Sequence, residues 1–255
     1  MGAMPAVFVG HGNPMNAIED SSFRREWTAL GRRLPKPSSI LCVSAHWETA
    51  GVAVTASESP ETIHDFGGFP QALFDVRYPA PGSPALARRV ASLLASENVR
   101  LDGKRGLDHG AWSVLAALYP AADVPVVQLS LDSSRPGADH YDLARRLAPL
   151  RQEGVLVLGT GNIVHNLGFY DPRRHEPYDW AKRFDAKVKK LISSRDHALL
   201  SDLKKLGPDA GLAVPTPEHY LPLLYVLALQ RKEDTVSYFN EAVETSMSMT
   251  SIVIG

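Results

Sequence analysis

Among its 255 residues the chain has a single cysteine, Cys42. No disulfide framework can form within one chain, and a lone thiol inside the apolar run "ILCVSA" reads as buried and inert. Charge of either sign is not in excess: 27 Lys and Arg against 28 Asp and Glu give a formal net charge of -1. That balance excludes a broad electrostatic pull toward nucleic acid or an acidic membrane. Long hydrophobic runs are missing too, none approaching the roughly 20 apolar residues of a membrane helix. The N-terminus lacks the basic segment of a secretory signal. These absences predict a soluble, cytoplasmic protein with no nucleic-acid and no membrane partner. Common catalytic signatures are lacking as well. There is no GxSxG elbow and no Walker A lysine loop. "VGHGNP" and "GTGNIVHN" hold glycine pairs but not the third glycine of a dinucleotide fingerprint.

What is present is a series of short runs rich in Val, Ile and Leu: "AVFVG", "ILCVSA", "VAVTA", "VPVVQLSL", "VLVLGTG" and "MTSIVIG". Near-continuous hydrophobicity suits strands covered on both faces. Amphipathic helical patterns lie between several of them, at 83–97, 137–154, 178–194 and 216–230. Gly154 reads as the stop of the second, and Thr216 with Pro217 as the start of the fourth; Pro222 marks either a kink or a later start. With no repeat or linker in evidence, one α/β domain over residues 1–255 is expected. Its central sheet should be largely parallel or mixed and flanked by helices.

Three of the apolar runs end in histidine: His11 after the first, His46 after the second, His165 after "VLVLGTG" and a short polar turn. Ligands of open α/β sheets bind outside the carboxyl ends of the strands, so these loops can converge there on one site. Imidazole suits zinc, iron, copper and nickel. The separations are far longer than those of a zinc finger or an HExxH helix, so the spacing alone leaves turn or cap histidines as an equal alternative. His109 in "LDHGAW" and His219 beside Glu218 in "PTPEHYLPLL" both precede helical patterns. His64 in "TIHDFGGFP" reads either as a pocket border or as a loop residue paired with Asp65. His140, His175 and His197 lie in polar segments and are expected on the surface. Trp47, Phe66, Phe69 and Trp112 flank the histidine motifs, as pocket lining or as core.

Taken together, "GHGNPM", "SAHW", "TIHDFGGFPQALFDVRYPAPGSP", "DHGAW", "VQLSLD", "GTGNIVHN" and "PTPEHYLPLLYVL" resemble the class III extradiol ring-cleavage dioxygenases, in their single-chain LigB-type branch. The resemblance runs in order from about Pro5 to Gly255. It implies extradiol cleavage of a small aromatic diol by O₂, giving a semialdehyde, with a catechol bearing a side chain such as DOPA as substrate. It implies His11, His46 and His219 as metal ligands at the strand ends, and His165 as a further ligand or as the acid/base group. His109 becomes the second catalytic histidine, and His64 a candidate substrate contact. Other branches of the superfamily use a carboxylate as third ligand, so Glu218 is the alternative to His219. Fe(II) is the implied cofactor for activity, and an all-histidine set also suits Zn(II). Two other readings stay open on the same residues: a zinc hydrolase using Glu218 or Asp65 as base, and a non-catalytic metal-binding homologue.

Overall fold

Each apolar run is a strand of the computed structural model, which describes residues 2–174 and 176–255. In chain order the strands are β1 (Ala6–Gly10), β2 (Ser39–Thr49), β3 (Ala53–Thr55), β4 (Arg100–Asp102), β5 (Val126–Asp132), β6 (Val155–Gly161), β7 (Val236–Phe239), β8 (Val243–Glu244), β9 (Met247–Ser248) and β10 (Ser251–Ile254). Eight of them form one sheet in the order β4-β3-β5-β2-β6-β1-β10-β7, and β8 and β9 pair as a separate ribbon. The central four, β5, β2, β6 and β1, run parallel. At the flanks β3 is antiparallel to β5, and β10 to both β1 and β7, so the sheet is mixed.

Alternating residues of the central strands feed two cores, as the pleat requires. On one face Phe8, Leu41 and Val43 pack against the helices Pro84–Leu93, Gly137–Arg145, Asp179–Ser193 and Leu221–Leu227. On the other, Val7, Val9, Ile40 and Cys42 meet the helices Ser22–Arg33 and His109–Leu118. Full burial of each such side chain contributes about 1.5–3 kcal/mol, and the two-sided burial explains why the runs are unbroken rather than alternating. β4 and β7 carry no apolar run that would signal them: Arg100–Asp102 is charged, and both strands lie at the edges of the sheet.

Two helical expectations are corrected. The pattern at 137–154 is two helices, Gly137–Arg145 and Pro149–Gln152, because Pro149 has no amide hydrogen to continue the first; Gly154, at φ +79°, ends the second. The pattern at 216–230 keeps only Leu221–Leu227, with Pro222 in its first turn; the Thr216 hydroxyl bonds the Glu218 carboxylate instead of capping. His140 is not a surface residue: it is fully buried, its Nδ1 at 2.9 Å from the Tyr225 hydroxyl. His197 is half-buried against the Tyr141 hydroxyl. His175 lies outside the described residues. No described helix is long and apolar enough to cross a membrane.

Candidate active site

Backbone contacts at the carboxyl ends of β1, β2 and β6 bring the histidines together. The His11 amide donates to the Gly161 carbonyl at 3.0 Å, extending the β1–β6 ladder by one residue. Against Gly161 lies the turn that carries His219: a Cβ at position 161 would stand 2.1 Å from the His219 carbonyl oxygen, and that oxygen accepts the Asn162 amide at 2.8 Å. Only glycine permits that approach. His46 lies inside β2, not after it. The β2–β5 register shifts between Val43 and Glu48, and such an irregularity re-aims side chains at the end of a strand. His109 is the first residue of its helix, capped by Asp108. His165 is held by its amide to the Ala213 carbonyl at 2.8 Å and by a bridge to Met247.

The five rings form one cluster. His11 and His46 approach through their Nε2 atoms at 3.2 Å. Ring centroids lie 3.9 Å apart for His46 and His109, 5.0 Å for His46 and His219, and 5.4 Å for His11 and His219. His165 is stacked on His219 at 3.5 Å with planes only 7° apart. All five line a cavity of 370 Å³, together with Phe66, Phe69, Leu167, Tyr170 and Met247.

Two carboxylates fix ring orientation from behind. Asp65 Oδ1 accepts both the His109 Nδ1–H at 3.0 Å and the His109 amide at 2.9 Å. Glu218 Oε1 accepts the His219 Nδ1–H at 3.0 Å. Each pair leaves Nε2 as the acceptor of its ring, the arrangement in which carboxylates orient metal-binding or catalytic imidazoles. Burial raises both carboxyl groups, but hydrogen bonds from His109 to Asp65, and from His219 and Thr216 to Glu218, outweigh it and hold each at about 2. Burial, then the neighbouring imidazoles, push His11 and His46 well below the ordinary histidine range and His165 down to about 3. These rings are therefore neutral, the form that binds cations and accepts protons.

A second network supports His46 and the His109 helix. Asp108, fully buried, accepts the Ser44 hydroxyl at 2.7 Å, the Gln128 side-chain amide at 2.8 Å and the Ala111 amide at 3.1 Å. Ser44 Oγ in turn accepts the His46 amide at 3.2 Å. A Cβ at Gly110 would stand 2.5 Å from Ser44 Oγ and 2.7 Å from His46 Cδ2, so any side chain there would have to displace Ser44 or His46.

The residues fit a metal ion. Imidazole nitrogens that share one ion at about 2.1 Å stand roughly as far apart as His11 and His46 Nε2 do. His11 Nδ1 is buried and has no hydrogen-bond partner among the described residues. The donors group as His11, His46 and His109, and as His165, Glu218 and His219. The expected set of four does not form one compact group.

His64 does not line the cavity: its Nε2 faces the Val76 carbonyl at 3.0 Å, and its ring packs on Phe66 and Trp112. Asp65 pairs with His109 rather than with His64. Trp112 is core, bonded through Nε1 to the Ile63 carbonyl, and Trp47 lies under the Arg105 guanidinium. Asp65 as orienter of His109, and the Ser44–Asp108–Gln128 network, escape sequence reasoning. The only signal is Asp108 directly before His109, and an acidic residue there is common at any helix start.

A mixed α/β sheet with an imidazole cluster at its strand ends defines a metal-site enzyme of the open-sheet type. The family model for the catalytic LigB subunit of aromatic ring-opening dioxygenase matches residues 5–252, and the chain belongs to this family. It is 50% identical over 259 residues to the 4,5-DOPA dioxygenase extradiol of Escherichia coli K12, covering 99% of this chain and 95% of that protein. It is 41% identical to the protein of the same name from Beta vulgaris, over 85% of this chain and 83% of that one. A crystal structure of an uncharacterized protein from Escherichia coli K12 superposes with a TM-score of 0.88 at 44% identity, covering 99% of this chain and 100% of the other. The chain is a dioxygenase, and its family chemistry is extradiol ring cleavage.

Proposed function

We propose that the chain cleaves a side-chain-bearing catechol beside its two hydroxyls, with Fe(II) held by His11, His46 and His219. The observation that carries this reading is the convergence of five imidazoles on one cavity, with the His11 and His46 Nε2 atoms 3.2 Å apart, the His219 ring 5.4 and 5.0 Å from theirs, and the His219 Nδ1 tied to Glu218. His219 is preferred over Glu218 because Glu218 Oε1 already accepts from the His219 ring and the Thr216 hydroxyl. Bound there, Fe(II) supplies the electron exchange between catecholate and O₂ that zinc, without redox chemistry, does not.

The remaining steps belong to the protein. His165, stacked on His219, would act as acid and base: its neutral ring would take a proton from a catechol hydroxyl and return one as the ring opens. His109, held by Asp65 through Nδ1, presents Nε2 to the same cavity and orients the substrate hydroxyl. Phe66 and Phe69 exclude water from one side of the ring. A hydrolase is disfavoured because both carboxylates that would activate water are tied to histidine Nδ1 atoms.

The test is oxygen uptake by metal-free protein reloaded anaerobically with Fe(II) or Zn(II) and given DOPA and a panel of catechols. Uptake with iron alone and a yellow semialdehyde product are expected. His165→Ala and His109→Ala are expected to bind metal yet lose roughly 10²–10⁴-fold in turnover. Near-normal rates in either variant would remove that histidine from the mechanism.

A further inference from the structure

His165 stands on an irregular segment, 162–166, that leaves the end of β6. The β8–β9 ribbon holds that segment. The Ser248 amide donates to the Val164 carbonyl at 2.9 Å, and the Asn166 amide to the Ser246 carbonyl at 3.1 Å. Between these two bonds His165 lies opposite Met247 in an antiparallel bridge. Opposed residues of such a pair carry their side chains on one face. Both of these line the cavity. Side chains alternate along an extended chain, so sliding the pairing by one residue would turn the His165 ring away from the cavity.

The ribbon alone does little to prevent that slip. It pairs only Val243 with Ser248 and Glu244 with Met247, and an isolated two-stranded ribbon is marginal. Its turn sets Thr245 at φ +48°, where glycine is favoured and a β-branched residue is strained. Such strain persists only where the surroundings over-determine it.

Buried side chains supply the missing constraint. Ser246 Oγ donates to the Asn166 carbonyl at 2.7 Å, one residue from His165. The Asn162 side-chain amide donates to the Ser248 carbonyl at 2.8 Å. Ser248 Oγ donates to Asp185 Oδ1 at 2.5 Å, and Lys189 pairs with the same carboxylate at 3.3 Å. Asp185 belongs to the helix Asp179–Ser193, and the Tyr178 amide at the start of that helix donates to the Thr245 carbonyl at 3.0 Å. Ser246 and Ser248 are fully buried, and neither lines the cavity.

We infer that Ser246 and Ser248 are positioning residues for His165: they pin the register of the β8–β9 ribbon that turns its ring into the cavity. This rests on the proton-transfer role given to His165 under the ring-cleavage reading. The experiment is a double-mutant cycle on the Fe(II)-loaded enzyme with DOPA, comparing wild type, Ser246→Ala, His165→Ala and the double variant. Ser246→Ala is expected to lower kcat by roughly 10- to 100-fold with KM little changed, the scale of a misplaced catalytic group. In the His165→Ala background the same substitution is expected to cost nothing further, since its effect runs through the missing ring. Ser248→Ala, which releases the ribbon from Asp185, is expected to show the same coupling and gives a second reading if Ser246→Ala does not fold. An equal loss with and without His165 overturns the inference, because it marks a general loosening of the fold. An unchanged kcat overturns it as well. Either result leaves ring cleavage standing. No oxygen uptake by iron-loaded wild type overturns the ring-cleavage reading and this inference with it.

Discussion

Asp108 shows how much of the site depends on residues that never meet substrate. Its two oxygens accept from Ser44, Gln128 and the Ala111 amide, while Gln128 Oε1 accepts the Asp108 amide at 2.9 Å. Asparagine at this position would set its amino group against the Gln128 amino group. Gln128 cannot turn over without losing the bond to the residue 108 amide. Asp108→Asn is therefore expected to cost about 1–3 kcal/mol, the penalty for a buried polar atom without a partner. The midpoint of urea unfolding reads this directly. Because Ser44 also carries the His46 amide, the same variant should weaken metal binding; an unchanged zinc affinity would separate the network from the site.

At the scale of elements, three independent segments meet around Gly161. β1 delivers His11, β6 ends at Gly161, and the turn before the Leu221–Leu227 helix brings the His219 carbonyl against that glycine. A methyl group there collides with backbone, which has no side-chain freedom to relieve it. Gly161→Ala is expected to displace the His219 turn and lower Zn(II) affinity by about tenfold or more, the usual scale for disturbing what orients a ligand. Calorimetric titration of the metal-free protein measures it. The irregular register of β2 is the matching device for His46: an uninterrupted ladder would keep strict alternation past Val43 and send the ring elsewhere.

The whole molecule is closed by a buried ion pair far from the histidines. Arg151, 1% exposed, donates to the carbonyls of Met4, Leu229 and Ile254 and pairs with Asp234, tying both ends of the chain to the start of β6. Breaking such a pair leaves an uncompensated buried charge, so Asp234→Asn is expected to lose roughly 3–5 kcal/mol of stability. Burial would raise the carboxyl groups of Asp234 and Asp132. Arg231 and Arg151 at the first, and Ser134 and Arg135 at the second, reverse this and hold both at about 2. A depressed carboxyl group adds stability above its ordinary range and loses it as pH falls through the folded value. Urea midpoints of the metal-free protein should therefore fall from about pH 6.5 downward, where the unfolded chain protonates His11, His46 and His165 and the fold does not, and fall further toward about pH 2 as the carboxylates titrate, that last part less steeply in Asp234→Asn.

The sequence by itself determined the strands of the central sheet, because a strand buried on both faces must be apolar at every position and such runs are visible without a partner. It determined that His11 directly follows a strand, since a run's end is local information, but it placed His46 after β2, where the structure has it inside. It did not determine the charged edge strand Arg100–Asp102, the burial of His140 beside Tyr225, or the division of the 137–154 pattern. Nor did it show that Asp65 serves His109 while His64 turns away to Val76. Each of these depends on what a residue meets from another part of the chain. The stacking of His165 on His219 is a relation between two planes. Only packing of β6 against the turn at Gly161 decides it, because spacing along the chain carries no information about the orientation of rings brought together by folding.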